Sequence, residues 1–366
     1  MDITNPSKAW LGGRCYRILN PLATTTTTTS NINYAQDDDN YLYEKAQYED
    51  EVECAAEQEE FQVEQLNNGK FQCVFPVASS YISYLIGTKG ATRKRIENET
   101  YTTLRFPGKG QSGDVVISGR DIKTVRQARI KLEMLVGQAR RRQPATHFLS
   151  IPCNTPNIQE SFLEFKKQVL SVCGGNRGVE ESIFQQPNKL HLTLCVMVLA
   201  DERERQHALD VLARCPQEVL RKHLNGEVMK VELRGVEIMN DDPGEVDVLY
   251  ARVAPLTWSH SLQNMAEEVV HMFVKAGIVT KEKEGVKMHM TIMNTKFRDA
   301  SGGEDTDNKQ QQQQPRVTFC ARQILEEFQD FEFGKMEVEE IHLSVRHTAS
   351  RSGYYSASGK IPVLPF

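Results

Sequence analysis

The alternation of apolar and polar residues predicts two ordered parts in this 366-residue chain. Between residues 69 and 139 the predicted order is strand, helix, helix, strand, strand, helix. The last of these, Asp121–Val136, is amphipathic, because its apolar residues recur at the spacing of one helix face. From residue 147 onward, β-rich stretches alternate with amphipathic helices. The pattern therefore favours an α+β fold for both parts.

Two predicted strands in the second part have nearly the same sequence. Leu190–Leu194 reads Leu-His-Leu-Thr-Leu, and 98 positions later Met288–Ile292 reads Met-His-Met-Thr-Ile. Alternation places the His and Thr of each segment on one face of its strand. If the strands lie side by side, four polar side chains converge on one spot: His191, Thr193, His289 and Thr291.

The remaining segments lack the periodicity of a core. Residues 31–68 contain twelve Asp or Glu against one Lys, a local charge of −11, and Thr24–Thr29 is a homopolymer. We predict that the acidic residues 31–68 form a disordered, solvated linker. The alternative is that this linker competes with nucleic acid for a basic patch. Residues 301–315, which include five consecutive glutamines, predict a disordered surface loop.

A short stretch ahead of the acidic linker mixes aromatic and cationic residues. Its members are Trp10, Arg14, Tyr16 and Arg17. Such side chains commonly anchor protein interfaces, so we predict a partner-binding segment. Packing of the stretch on its own domain is an equal alternative.

Composition narrows the class of protein. Hydrophobic residues make up 39% and charged residues 25%, which is ordinary for a globular protein. None of the eight cysteines forms a Cys-x-x-Cys pair, which favours reduced thiols in an intracellular protein over disulfides or zinc. No apolar run has the length of a signal peptide core or a membrane span, so we expect neither.

Charge is distributed unevenly. Residues 87–142 contain 14 Lys or Arg against 5 Asp or Glu, a local charge of +9 in a chain whose net charge is −5. Gly87–Gly90 reads Gly-Thr-Lys-Gly and separates two short predicted helices. Two glycines allow a sharp turn close to a sugar-phosphate chain, and helix N-termini and Lys89 favour phosphate. The basic residues Arg93, Lys94 and Arg95 follow, so the segment has the electrostatic character of a nucleic-acid binder.

With this loop in this order of elements, Phe71–Val136 resembles a type I KH domain (βααββα). The resemblance implies binding of single-stranded RNA, or single-stranded DNA, with Ile86 and Ile96 lining an apolar groove. The predicted nucleic-acid-binding residues are Ile86, Gly87, Thr88, Lys89, Gly90, Arg93, Lys94 and Arg95. A KH fold used for protein docking is the alternative. The basic residues 140–142 extend the nucleic-acid path or simply end a solvated helix.

The paired His and Thr residues suit phosphodiester chemistry. Imidazole has an ordinary pKa of about 6.5, so one His can act as base and the other as acid. Two Thr hydroxyls can bond the non-bridging phosphate oxygens, and no metal or other cofactor is required. Zinc binding is less favoured, because no further ligands stand at suitable spacing. A third near-match, His342-Leu343-Ser344, shares the alternation but repeats the context less well.

From Thr146 onward the chain resembles the two-histidine (2H) phosphoesterase superfamily, in the branch of the A-kinase anchoring protein 7-like domain. This resemblance implies a two-lobed domain that hydrolyses or forms 2′,3′-cyclic or 2′,5′-linked RNA phosphates, or only binds nucleotides. His191, Thr193, His289 and Thr291 match both motifs and are the candidate catalytic residues. The family also implies an aromatic or basic residue near the groove, for which Phe148, Lys287 and Asn294 are candidates.

The two domains together, with Met239–Gly244, Val246–Ala251 and Met293–Thr295, resemble a family of subunits of the activating signal cointegrator complex. The resemblance implies a location in the nucleus, a large helicase subunit and other subunits of that complex as partners, and roles in transcription coactivation and alkylation-damage repair.

We therefore expect four segments. Residues 1–68 are a partner-binding segment and acidic linker, 69–139 a KH domain, 140–146 a basic hinge, and 147–366 a 2H phosphoesterase-like domain. Two functions remain open: an RNA phosphodiesterase acting on RNA ends or cyclic and 2′,5′ phosphates, and a non-catalytic RNA-binding scaffold whose groove only recognises nucleotides. The identity of the scissile bond, and of the acid and base, stays open.

Overall fold

The computed structural model describes residues 8–11, 14–17, 62–108, 113–224, 226–256, 261–279, 285–300 and 317–364. Two compact units are distinguished, Met1–Glu57 and Gln58–Phe366. In the first unit, strands β1 (Lys8–Leu11) and β2 (Arg14–Arg17) pair in antiparallel fashion. The candidate partner-binding residues lie on these two strands. The threonine tract, most of the acidic linker and the glutamine-rich loop lie outside the described residues.

The second unit contains helices and strands in the alternation expected from the sequence. Its helices are α1 (Ser79–Ile86), α2 (Ala91–Thr100), α3 (Ile122–Arg141), α4 (Pro156–Cys173), α5 (Glu202–Cys215), α6 (Arg221–Leu224), α7 (Ser261–Lys275), α8 (Phe297–Ala300) and α9 (Arg322–Phe328). Its strands are β3 (Glu64–Gln65), β4 (Phe71–Phe75), β5 (Thr103–Arg105), β6 (Val115–Gly119), β7 (His147–Pro152), β8 (His191–Met197), β9 (Lys230–Ile238), β10 (Val248–Pro255), β11 (Met290–Asn294), β12 (Glu332–Glu337), β13 (Glu340–Val345) and β14 (Ala357–Pro362). None of the described helices is long and apolar enough to cross a membrane.

The first domain has the predicted order β4-α1-α2-β5-β6-α3. Its antiparallel sheet has the strand order β3-β4-β6-β5, and α1 and α3 bury Tyr81, Leu85 and Leu132 in a common core. Strand β3 is an addition, because it lies within the segment predicted to be a disordered linker. Both of its residues are exposed, so they lack the alternation by which a strand is recognised from sequence.

Two features of the helices depart from the local sequence pattern. Serine is a favoured N-cap residue, but Ser79 and Ser80 both lie inside α1, and Ala78 occupies the cap position without a side-chain bond. Proline usually breaks a helix, but at Pro216 the chain continues from α5 through a π-helical turn, Pro216–Leu220, into α6. The wider turn accommodates the absence of a backbone N–H donor at proline.

The second domain is built on one eight-stranded antiparallel sheet. The strand order is β12-β9-β10-β11-β8-β7-β13-β14, so β11 and β8 lie at the centre with three strands on either side. One half of the sheet contains β8, β7, β13 and β14, and the other contains β11, β10, β9 and β12. The last two strands of the first half, β13 and β14, come from the end of the chain. The two His-x-Thr segments lie on the neighbouring central strands, one in each half, which agrees with the expected two lobes.

The hydrophobic core of the second domain includes a cluster of four phenylalanines. Phe165 of α4 contacts Phe328, Phe331 and Phe333, with ring centroids 5.1–5.4 Å apart in tilted or edge-to-face orientations. Six cysteines lie among the described side chains and all are free thiols, four of them buried. Burial raises the pKa of the Cys215 thiol to about 12, so this group is packed as an apolar side chain.

The last turn of α3 joins the two domains. Helix α3 extends to Arg141, beyond the predicted end at Val136, because its C-terminal residues pack on the second domain. The Arg140 guanidinium pairs with Glu204 of α5 and donates to the Gly277 carbonyl oxygen at 2.8 Å. Arg203 of α5 reaches back to Asp114 of the first domain at 2.6 Å. These polar contacts hold the domains against each other.

Candidate functional site

The two His-x-Thr segments meet at the centre of the eight-stranded sheet. Strands β8 and β11 are antiparallel neighbours, with Leu192 opposite Met290. This register directs His191 towards Thr291 and Thr193 towards His289, since residues on either side of a pair run in opposite directions. The apolar partners Leu192 and Met290 are fully buried, while all four polar residues are partly exposed. His289 was predicted to lie within its strand, but the strand begins one residue later, at Met290.

Both imidazoles are held in the same way. The Nδ1 atoms of His191 and His289 lie 2.7 Å from the carbonyl oxygens of Lys189 and Lys287, each two residues upstream. A carbonyl oxygen only accepts, so each Nδ1 carries the proton and donates it. In the neutral ring this leaves the Nε2 lone pair as the basic site.

Aromatic rings surround His191 on the first lobe. Its centroid lies 5.1 Å from the ring of Phe148 and 5.4 Å from that of Tyr355, which stands edge-on. The Lys189 Nζ lies 5.3 Å from the centroid of the same Tyr355 ring. Tyr355 belongs to the loop before β14, so a distant segment of the chain positions both the imidazole and the ammonium.

The second lobe repeats this arrangement with a different tyrosine. The Tyr250 ring of β10 lies 5.3 Å from His289, edge-on, and the Lys287 Nζ lies 5.1 Å from its centroid. Tyr250 stands opposite Thr291 in the strand register, and its hydroxyl donates to Glu237 at 2.8 Å. Each lobe thus supplies an imidazole, a hydroxyl and an ammonium held over a tyrosine.

The site favours neutral imidazoles. Burial lowers the pKa of His191 to about 4; the bond to Lys189 opposes this effect, and the nearby His289 adds to it. Burial also lowers the pKa of His289, opposed by its bond to the Lys287 carbonyl and reinforced by the Lys287 charge. Both rings are therefore neutral at pH 7 in the free protein, and a bound anion would favour protonation of one of them.

The hydroxyls of Thr193 and Thr291 complete the arrangement. Neither makes a hydrogen bond to any described residue, so both can donate to a ligand. Two hydroxyls, two imidazoles and two ammonium groups around one spot suit a tetrahedral anion such as a phosphate or phosphodiester. Within the described ranges, no three His, Cys, Asp or Glu side chains lie together in a way that could hold a metal ion.

Of the three residues proposed as additional groove members, two lie beside the histidines. Phe148 contacts the His191 ring, and Lys287 contacts Tyr250 and bonds His289. Asn294 instead accepts a bond from the backbone N–H of Lys296, so its side chain completes a local turn.

Three residues of the site, Tyr250, Tyr355 and Lys189, are not among the site residues predicted from the sequence. The repeat in fact reads Lys-x-His-x-Thr in both lobes, so Lys189 carried a visible signal. Neither Tyr250 nor Tyr355 has a spacing that relates it to its histidine, because they come from another strand and from a loop. Tyr355 lies ahead of strand β14, which begins at Ala357.

The KH loop has backbone angles that suit close approach to a ligand. Gly87 has φ 71° and ψ 175°, Lys89 has φ 52°, and Gly90 has φ 80°. Thr88 and Lys89 are exposed between α1 and α2. The structure therefore presents Lys89 at the tip of a tight turn.

The three basic residues of α2 differ in exposure and in their contacts. Lys94 and Arg95 are exposed, but Arg93 bonds Glu97 at 3.1 Å. Ile86 is half-buried beside the loop. Ile96, expected to line the groove, is buried in the domain core instead.

Two protein families match successive parts of the chain. The family described as KH domain matches residues 72–134, and the family described as AKAP7 2′5′ RNA ligase-like domain matches residues 145–363. The chain is 36% identical to mouse (Mus musculus) Activating signal cointegrator 1 complex subunit 1 over 366 residues, covering 99% of each. It is 24% identical to uncharacterized protein C15D4.13c of Schizosaccharomyces pombe over 156 residues, 43% of this chain and 69% of that protein.

Among solved structures, E. coli LigT complexed with NADP+ is similar at 15% identity, with 60% of this chain and 98% of that chain covered and a TM-score of 0.35. The chain belongs to the family of Activating signal cointegrator 1 complex subunit 1, with a KH domain followed by an AKAP7 2′5′ RNA ligase-like domain.

Proposed function

We propose that this chain is a nucleic-acid-binding subunit with a metal-independent phosphodiesterase site that acts on RNA ends or on cyclic or 2′,5′-linked phosphates. The observation that carries the proposal is the repeated arrangement around His191 and His289, in which each Nδ1 is bonded to a backbone carbonyl. This leaves two basic Nε2 atoms for one phosphate. The KH domain holds the single strand whose end or linkage reaches them.

The two histidines divide the proton transfers. His191 has the lower pKa, so its neutral Nε2 accepts the proton of the attacking oxygen. His289, across the strand pair, donates a proton to the leaving oxygen. Thr193 and Thr291 donate hydrogen bonds to the non-bridging oxygens as charge develops on them.

The test is turnover of 2′,3′-cyclic nucleotides and 2′,5′-linked dinucleotides in the presence of EDTA. His191→Ala and His289→Ala should each lower kcat by about 10²–10⁴-fold, the usual contribution of a general acid or base. His271→Ala, which removes an exposed imidazole from α7, is the matched control and should leave kcat unchanged. Equal turnover by the wild type and both site variants would rule out catalysis by this pair.

Nucleic-acid binding by the KH loop is tested separately. Lys89 has a positive φ, a conformation that Asp also adopts readily, so Lys89→Asp reverses the charge without straining the turn. Affinity for a short single-stranded RNA should fall and its salt dependence should flatten. Lys167→Asp, on an exposed position of α4, is the control. If Lys89→Asp binds the RNA as tightly as the wild type, the loop is not part of the nucleic-acid interface. The same titration with a single-stranded DNA of the same sequence shows which nucleic acid is preferred.

A second candidate function is that of a scaffold whose groove binds nucleotides without turnover. It is favoured by the name of the whole-length relative, which is a subunit of a complex. By this proposal the chain acts in the nucleus beside a large helicase subunit, in transcription coactivation and alkylation-damage repair. If the wild-type chain binds nucleotides but does not turn them over, the scaffold function is supported and the phosphodiesterase function is not.

We assign partner binding to the N-terminal residues Trp10, Arg14, Tyr16 and Arg17. Deletion of residues 1–21 should reduce co-purification with the helicase subunit while RNA affinity stays the same. Unchanged co-purification would contradict this assignment. Imaging of the full chain in cells tests the nuclear location.

A further inference from the structure

A pocket of about 330 Å³ lies beside His191 on the first lobe. Tyr354 and Tyr355 form one wall, and both rings also face His191, with centroids 6.4 and 5.4 Å from it. Pro152, the register partner of His191, lines the same pocket. The volume lies in the lower range of small-ligand pockets, about 300–1,000 Å³. A ligand held at His191 could therefore extend into this space.

The charges in the pocket decide which part of a nucleotide enters it. Glu337, Glu339 and Glu340 line it, against one ammonium, that of Lys360. Three carboxylates disfavour a phosphate, which is better placed between Lys189 and the histidines. The uncharged base of the nucleotide is the part that fits a pocket with carboxylates and tyrosine rings.

Glu340 is the best-oriented acceptor there. Its Oε2 atom accepts from His342 Nε2 at 2.7 Å and from Lys360 Nζ at 3.1 Å. No described residue bonds the other oxygen, Oε1. The carboxylate is thus fixed by two donors on one oxygen and keeps the second oxygen available for a ligand N–H.

Two further buried polar atoms lining the pocket have no partner among the described residues. They are Nδ1 of His342, whose side chain is 7% exposed, and Oγ1 of Thr155. Because Nε2 of His342 donates to Glu340, Nδ1 of the neutral ring is an acceptor. Unpaired buried polar atoms cost free energy, so their presence at a pocket points to a polar ligand that bonds them.

The second lobe is filled differently at the corresponding place. In the register, Ser150 of β7 stands opposite Thr193, as Tyr250 of β10 stands opposite Thr291. Ser150 is small, and the Tyr354 hydroxyl donates to it at 3.0 Å. The bulkier Tyr250 instead donates its hydroxyl to Glu237 of the neighbouring strand β9, so the two sides of the two-histidine groove are not equivalent.

We infer that the pocket between Glu340 and Tyr354 binds the base of the nucleotide on the His191 side and prefers guanine. Guanine presents two adjacent N–H donors, N1–H and the exocyclic amino group, and the two lone pairs of Glu340 Oε1 can accept both. Hypoxanthine lacks the amino group, and adenine has an amino donor but places an acceptor at N1. The inference rests on the proposed nucleotide-binding role of the two-histidine groove and adds a base preference to it.

The experiment titrates guanosine, inosine and adenosine 3′-monophosphates by calorimetry. The full chain carries Lys89→Asp, so that the KH loop contributes little. Guanosine should bind about tenfold more tightly than adenosine, the scale of one hydrogen bond to a charged group, with inosine between them. Equal affinities for the three nucleotides would overturn the inference.

Glu340→Ala should bring guanosine to the affinity of adenosine. Binding of inorganic phosphate, which needs only the groove, should stay unchanged and shows that the fold is retained. Glu340→Gln keeps the side-chain size and replaces the alanine variant if phosphate binding is lost. Glu332→Ala removes an exposed carboxylate from β12 and should keep the guanosine preference. A preference that persists without Glu340 would also overturn the inference.

The outcomes separate this inference from the proposed catalysis. Turnover without a base preference removes the pocket from substrate recognition and leaves the phosphodiesterase intact. A guanosine preference without turnover supports the pocket and rejects catalysis by the two histidines.

Discussion

At the scale of single residues, the environment of each imidazole decides its role more than its position in the motif. The two histidines have closely similar neighbours in sequence, Lys-Leu-His-Leu-Thr and Lys-Met-His-Met-Thr, and the same bond to a carbonyl oxygen. They differ in what surrounds the ring, since His191 is enclosed by Phe148 and Tyr355, while His289 contacts Tyr250 alone among the described aromatic residues. Stronger enclosure excludes more water from the protonated imidazole and so lowers its pKa further. His191 is therefore the weaker base and the ring that stays neutral.

This difference predicts the pH dependence of kcat/KM. The acid must be protonated, and this fraction falls as pH rises through the lowered pKa of His289, which lies below 6.5. The base must be neutral, and this fraction falls as pH decreases through the His191 pKa of about 4. We expect a bell-shaped profile with its maximum on the acid side of pH 6.5, measured with a cyclic phosphodiester. A rate that increases from pH 7 to 9 would contradict the assignment, and His271→Ala should leave the profile unchanged.

At the scale of elements, the KH loop depends on two glycines for different reasons. Gly87 has φ 71° and ψ 175°, a region that only glycine adopts without strain, and an added Cβ would lie 2.2 Å from Thr92 Oγ1. Gly90 is in the left-handed helical region, where a Cβ would meet nothing within 4 Å. Gly87 is therefore required both by its backbone angles and by the lack of space for a Cβ, whereas Gly90 is required by its backbone angles alone.

Gly87→Ala should therefore destabilise the KH domain by about 1–3 kcal/mol, whereas Gly90→Asn should cost less than about 1 kcal/mol. Asn adopts left-handed angles more readily than other residues, which is the reason for the difference. Urea unfolding followed by circular dichroism measures both values. Equal costs for the two variants would show that the contact with Thr92 relaxes freely.

At the scale of the whole second unit, the polar contacts between the domains determine how firmly they are joined. The Arg140 and Glu204 side chains are only 20% and 19% exposed, and Arg140 also lies over the Tyr81 ring. The other pair, Arg203 with Asp114, is 51% and 35% exposed. Solvent screens the second pair much more, so the first carries most of the electrostatic coupling.

A double-mutant cycle tests this. Arg140→Ala and Glu204→Ala should each destabilise the chain, with a coupling free energy of about 1–2 kcal/mol, because each single change leaves a half-buried charge without its partner. The matched cycle of Arg203→Ala and Asp114→Ala should give a coupling below about 1 kcal/mol. Chemical denaturation of the full chain measures both. A larger coupling for the exposed pair would reverse the assignment.

The order of elements and the repeated motif follow from the sequence pattern alone. Strand alternation placed His191 with Thr193, and the loop between two short helices identified the KH domain, because both signals are local. The ends of elements were less well predicted: α3 runs past Val136 because its last turn packs on another domain, and β11 begins after His289. Such boundaries depend on partners that local periodicity does not contain.

The surroundings of the motif depend on how distant parts of the chain pack together. Tyr250 and Tyr355 lie 39 or more positions from the histidine that each contacts, and no spacing connects them to it. The pocket at Glu340 likewise combines β13, the loop before β14 and the residues that lead into α4. The reason is physical: the side chains of a strand have a period of two, which sets the face they occupy, whereas the neighbours on that face are set by which strands pair and which loops fold over them.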